Sequence, residues 1–395
     1  MFLKKSVLRY RITSLAFIIL TLQYVLFFYI DKGTLPRAII YGIYLTGAIL
    51  PFVFIEFKKS RLSMFRLAYF TIFIYLSLIT LLNLNVDGGT LISNFLIYFQ
   101  IFTAYFFSKY DIENLRKLLV PIAVLALVLL AYQLIFKGID VSVALDKRGY
   151  QWTEIFFYNA LFWAVIPFMI VSMILNKKLL LPLLYWGGAV ILNLIFLKRF
   201  IIVDSLLLLL MIIFINSTKE KKIKENLRII LLMVIICMAV LYFKADTVTQ
   251  LFEATSQRIE SSSEDLLGLD RWVEANNYIE SASFESLMFG TGFATPHYGL
   301  NKEAFALHIG WFNFILKGGF VLLILILISC LRAFSLALRF KSLPLKERFA
   351  VCYLLIYFFR LFYVNMHNLS PEMIVFFYSI ITVMDYGEKM KPQGV

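Results

Sequence analysis

Histidine and cysteine are scarce in this chain, three of each in 395 residues, and charged residues make up only 16% of it. Cys237, Cys330 and Cys352 all lie in or beside apolar stretches, with no CxxC pair and no Cys/His spacing suited to zinc. No metal site is expected, and nothing in the sequence implies a cofactor. A P-loop is missing, and so is a GxGxxG turn following a strand. Both absences argue against ATP-driven transport and against nucleotide-sugar chemistry on the cytoplasmic side. Internal repeats and low-complexity tracts are lacking as well.

The excess is in apolar side chains. Hydrophobic residues are 61% of the chain, with 40 Phe and 22 Tyr, where a soluble domain is about half apolar and about a quarter charged. They fall in blocks of about 17–20 residues, the length that crosses a hydrocarbon core roughly 30 Å thick. The fold class that follows is an all-α integral membrane protein with about twelve transmembrane helices. The expected spans are residues 12–30, 38–56, 67–85, 93–108, 118–136, 155–175, 179–197, 200–216, 229–243, 309–329, 349–366 and 372–386. The first block is long and no small-residue cleavage site follows it, so it reads as a retained helix. The net charge of +13 sits in short clusters between apolar blocks. Such clusters suit topology signals and anionic lipid, and no continuous basic face is offered to nucleic acid.

The connections alternate in charge. Clusters such as Lys4/Lys5/Arg9/Arg11, Lys58/Lys59/Arg61/Arg66, Lys219/Lys221/Lys222/Lys224/Arg228 and Arg332/Arg339/Lys341/Lys346/Arg348 belong to one set of loops, which carries more than twice the basic residues of the other. The positive-inside rule makes that set cytoplasmic and puts both termini inside. The chain then divides into helices 1–9 over residues 1–243, one long outer-face segment over 244–308, and helices 10–12 over 309–395. Short helices are expected in 246–270, and Gly290-Thr291-Gly292 reads as a turn. Three charges fall inside spans: Asp204, Lys317 and Arg360. At 1.5 Å per residue they lie roughly 7, 13 and 10 Å below the outer ends of their helices. Intramembrane charge is costly and marks function by default, although Asp204 could equally form an ion pair with Arg360 or Lys317. A shared depth suggests an outward-opening cationic cavity, lined also by Arg199 and Arg148, of the kind that holds a lipid diphosphate.

Residues 271–320 read RWVEANNYIESASFESLMFGTGFATPHYGLNKEAFALHIGWFNFILKGGF. Arg271 beside Trp272, then Gly290-x-Gly292, then His308 separated by ten residues from Gly319, give an ordered pattern. It resembles the core region of the O-antigen ligase and O-antigen polymerase superfamily of membrane glycosyltransferases. Direct coverage is about 50 residues of the 395, and elsewhere only the span count and the long outer loop agree. Departures are Ile309 where the family has Asn, Lys317 where an acidic residue is common, and Lys198-Arg199 in place of a Ser-Arg pair.

The resemblance implies a glycosyltransferase-C-like helical fold in the bacterial cytoplasmic membrane. It also implies metal-independent, inverting transfer of a glycan from polyprenyl diphosphate to an acceptor hydroxyl on the outer face. His308 would be the general base or would orient the acceptor. Arg271 and Arg199 would bind the diphosphate, with Arg148, Arg360 and Lys317 as further cations. Gly290 and Gly292 would serve turn geometry, and Gly319 close helix packing. Glu274 would be a structural partner of Arg271 or a second base, while His297 and His367 read as interfacial residues. The implied partners are the polyprenyl-diphosphate-linked glycan, the lipid bilayer, a chain-length regulator and a flippase, and not nucleic acid. A polymerase of repeat units is the leading expectation. The alternatives are a ligase moving the finished glycan to lipid A core or another acceptor such as a protein, a lipid-linked oligosaccharide transporter, and a structural assembly partner.

Overall fold

The computed structural model describes residues 112–132, 166–175, 269–292, 297–298, 303–304, 309–363 and 371–389, with isolated positions within 11–19 and 203–215 and at 42, 46, 71, 74–80, 104, 187 and 231. The described residues are mostly α-helical, with one 3-10 turn, short connecting turns and one two-rung antiparallel ladder, His297 with Ala304 and Tyr298 with Glu303. The chain divides into two compact units, Met1–Leu118 with Asp270–Val395, and Leu119–Leu269.

Helix α1 (Ile112–Tyr132) begins in polar sequence, where Glu113 and Arg116 form an ion pair of 3.5 Å across one turn. Its buried residues Ile112, Leu115, Leu118 and Leu119 recur at helical spacing. In the second unit, every residue of α2 (Ile166–Ile174) is buried. Asp204 is buried on a helical face shared with Leu208, Met211, Ile212 and Ile215.

In the first unit, α3 (Leu269–Ser281) and α4 (Phe284–Phe289) precede the ladder strands β1 (His297–Tyr298) and β2 (Glu303–Ala304). Three long helices follow: α5 (Gly310–Ala337), α6 (Leu345–Arg360) and α7 (Pro371–Lys389). Among the described residues α5 is the one helix long and apolar enough to cross a membrane. Its dihedrals break at Gly319, with φ 64° and ψ −170°. Residues 310–318 therefore form one short helix and residues 320–337 another, the second rising about 27 Å.

That second stretch is apolar on both faces. Leu322, Ile326, Cys330, Ala333 and Leu336 are buried, while Val321, Ile324, Ile328 and Leu331 form an exposed stripe at helical spacing, Leu331 at 62%. Exposed apolar pairs one turn apart recur at Ile74/Leu78, Val124/Val128 and Leu15/Ile18. An apolar face turned outward in this way calls for a non-aqueous surround or a partner.

A 3-10 turn (Phe340–Ser342) joins α5 to α6. Arg348 pins it: Nε donates to the Leu343 carbonyl at 2.7 Å, a second nitrogen donates to the Lys341 carbonyl, and the guanidinium lies over the Phe340 ring. The core between α5, α6 and α7 is aromatic. Phe349 stacks on Tyr353, Tyr353 on Tyr357, Tyr357 meets Phe376 at 4.5 Å between centroids, and Phe376 stacks on Phe314. Tyr353, Tyr357 and Tyr378 are among the largest fully buried side chains.

Candidate functional site

Helix α4 is a single short turn-and-a-half set by its caps. The Ser283 hydroxyl oxygen accepts from the Ser286 N–H at 3.2 Å, and Gly290, at φ 78°, closes the other end by donating its N–H to the Ser286 carbonyl at 2.8 Å. A left-handed φ is natural to glycine and costs other residues energy. The chain then runs directly onto the break in α5. The Thr291 N–H and hydroxyl both donate to the Leu316 carbonyl, at 2.9 and 2.8 Å, and the Gly292 N–H donates to the Lys317 carbonyl at 3.1 Å.

The break accounts for those bonds. In a continuous helix the Leu316 and Lys317 carbonyls would accept from N–H groups one turn on. The turn at Gly319 removes those partners and leaves carbonyls that must be satisfied otherwise. Thr291 and Gly292 supply three donors. The fit is close in both directions: a Cβ on Gly290 would meet the Lys317 carbonyl and the Gly318 nitrogen, and one on Gly319 would meet the backbone of Met288 and Phe289. Gly292, at φ 85°, faces a third segment, where a Cβ would lie 2.7 Å from the Thr80 hydroxyl oxygen. Tyr75 adds an edge-to-face contact with Phe289.

Lys317 is in the last turn before the break and is 3% exposed. Asn313, one turn earlier on the same helical face, is buried too. Alongside, α3 packs on this short helix. Trp272 meets Phe312 edge-to-face at 5.7 Å, and Tyr278 clusters with Ile315 and Leu316. Burial pushes the Tyr278 phenol up to about 12. Glu274 and Ala275 share the buried face of α3. Arg360 is 2% exposed in the last turn of α6, with its guanidinium over the Tyr357 ring. A cation at a helix C-terminus is favoured by the helix dipole. The end of α6 meets the start of α5 through the Trp311 backbone N–H, which donates to the Leu361 carbonyl at 3.4 Å, and through the Trp311 ring, packed on Phe358 and Phe362.

The sequence candidates thus fall into three groups. Gly290, Gly292, Lys317 and Gly319 meet directly. Arg271 is on α3, the helix packed on residues 312–316, and Arg360 ends the helix that meets Trp311. His308, Arg199 and Arg148 lie outside the described residues, as do His367 and residues 246–268. Gly319 takes the backbone of α4 at close range, the tight helix packing expected of it, and it also interrupts its own helix, which was not expected. Thr291, Thr80 and Trp311 were not foreseen. The signal available for Thr291 was its place between two glycines opposite a Gly318-Gly319 pair. Among the described residues no group of His, Cys, Asp and Glu could hold a metal ion. Comparison with protein-family models, with curated proteins and with solved structures finds no match for this chain.

Proposed function

We propose that this chain is a polytopic membrane glycosyltransferase that polymerises polyprenyl-diphosphate-linked repeat units on the outer face of the bacterial cytoplasmic membrane. On this reading it has about twelve spans and a glycosyltransferase-C-like fold. The observation that carries it is the docking of Gly290-Thr291-Gly292 onto the break at Gly319, beside the buried Lys317. The glycine pattern noted in the sequence is thereby tied to a buried cation. The outward apolar stripes of residues 321–331 and of the other helices support a bilayer surround.

In the proposed reaction the acceptor hydroxyl oxygen attacks the anomeric carbon from the face opposite the diphosphate. The bond to the diphosphate oxygen breaks, and His308 takes the hydroxyl proton. The leaving diphosphate carries its own negative charge, which Arg271, Lys317 and Arg360 offset without a metal. A chain-length regulator and a flippase would be its partners in the membrane. Transfer of the finished glycan to another acceptor, as in a ligase, uses the same chemistry.

One observation favours a second reading. Broken helices bind substrate in many transporters, and α5 is broken at Gly319. Reconstitution separates the two. Purified wild type and His308→Ala would be placed in vesicles carrying the host's polyprenyl-diphosphate repeat unit, with products resolved by size. A ladder from wild type, absent from the variant, supports the polymerase. Movement of labelled glycan lipid across the vesicle wall without any ladder would replace the enzyme reading with transport.

A further inference from the structure

We infer that Thr291 is a positioning residue that aims the buried Lys317 ammonium at the anionic diphosphate of a polyprenyl-linked ligand; this rests on the proposal that the site takes such a lipid. The geometry is specific to Lys317. Its Cα is flanked by two peptide planes. The Leu316 carbonyl belongs to the one before it and accepts from both the Thr291 N–H and the Thr291 hydroxyl. The Lys317 carbonyl belongs to the one after it and accepts from the Gly292 N–H. Holding both planes fixes φ and ψ at Lys317, and so fixes the direction of its Cα–Cβ bond.

An ordinary helical lysine owes that direction to its own helix. Here the helix ends at Gly319, and the loop takes over the role the next turn would have had. The hydroxyl is the one side-chain donor among the three bonds, and it spans 25 residues of sequence. Backbone donors would satisfy the carbonyls with any residue at position 291. The second donor to the Leu316 carbonyl exists only with Thr or Ser there. Lys317 is buried, so its charge cannot find a ligand by swinging through solvent. Packing around the buried side chain restricts its torsions, so an ammonium whose Cα–Cβ bond is fixed samples few positions, as preorganised sites require.

The test is a double-mutant cycle read by equilibrium binding of polyprenyl diphosphate, without glycan, to full-length protein in detergent. The proteins are wild type, Thr291→Val, Thr291→Ser, Lys317→Met and the Thr291→Val/Lys317→Met pair. Thr291→Val removes the hydroxyl at constant shape and is expected to weaken binding by about tenfold. Thr291→Ser restores it. In the Lys317→Met background, Thr291→Val changes nothing further, because the group it aims is gone. Equal weakening by Thr291→Val in both backgrounds overturns the inference and leaves Thr291 a scaffold residue. Unchanged binding by Lys317→Met, or no binding by wild type, overturns it too. The polymer ladder is a separate readout. A ladder with a failed cycle removes this inference and keeps the enzyme reading, and a coupled cycle with no ladder does the reverse.

Discussion

Gly319 lies so close to Met288 that a Cβ on the glycine would strike the Met288 carbonyl group. Its φ of +64° adds a second obstacle to any other residue. With ψ at −170° this backbone is essentially confined to glycine and costs other residues roughly 1–3 kcal/mol, and a clash with backbone cannot be relieved by a rotamer change. Gly319→Ala is expected to lose more than about 4 kcal/mol, in the range reserved for special backbone sites. Thermal size-exclusion of detergent-solubilised protein measures it. Gly42→Ala is the control, since nothing lies within 4 Å of a Cβ there; it should shift stability by less than about 1 kcal/mol.

Trp311 joins the start of α5 to the end of α6, touching Phe314, Phe358 and Phe362. Trp311→Ala empties that junction and should cost about 3–5 kcal/mol. Trp311→Phe keeps most of the ring contacts and should cost less than half of that. Melting midpoints of the two variants, compared in one detergent, check the order. Equal losses would show that the ring contacts a phenylalanine keeps contribute nothing to the junction.

Arg348 holds the α5–α6 turn through two backbone carbonyls and the Phe340 ring. A lysine cannot reproduce two directed donors from one planar group. Arg348→Lys and Arg348→Met should therefore destabilise alike, by about 1–3 kcal/mol. Limited proteolysis near residues 339–344 should speed up in both. A lysine variant as resistant as wild type would show that charge alone holds the turn.

Tyr278 gives a pH dependence with a definite sign. Burial raises its phenol from 10.0 to about 12. Between those values the unfolded chain has lost the proton and the native protein keeps it, so ionisation favours unfolding. This contribution is constant below pH 10, falls across pH 10 to about 12, and levels off above. Tyr278→Phe should flatten that part of the profile in a denaturation series. An unchanged slope would place the alkaline loss elsewhere.

Hydropathy located the long helices of the C-terminal region and misjudged their ends for identifiable reasons. The span expected at 349–366 is α6, Leu345–Arg360. Lys346, Glu347 and Arg348 looked like loop, yet Arg348 turns back on the preceding carbonyls and lets the helix begin early. Likewise α1 starts at Ile112 rather than 118, because the Glu113–Arg116 pair makes polar residues good helix formers. The expected span 309–329 is α5, Gly310–Ala337, with a break at Gly319. Counting apolar residues cannot register a positive φ. Gly290, Gly292 and Gly319 were legible as a spaced pattern. Their meeting was not, because it depends on freed carbonyls, which no side-chain pattern records. Thr80 was out of reach for the same reason: it matters only because Gly292 lies against it.

A helix that crosses a bilayer in one piece must lean as a whole when the membrane is thinner or thicker than its apolar length. The joint at Gly319 removes that obligation. On the membrane reading proposed above, residues 320–337, with their outward apolar stripe, would follow the thickness of the surrounding lipid. Residues 310–318 are moored instead to Thr291, Gly292 and α3. Lys317 and its neighbours would thus keep a constant setting while the membrane around them varies in composition.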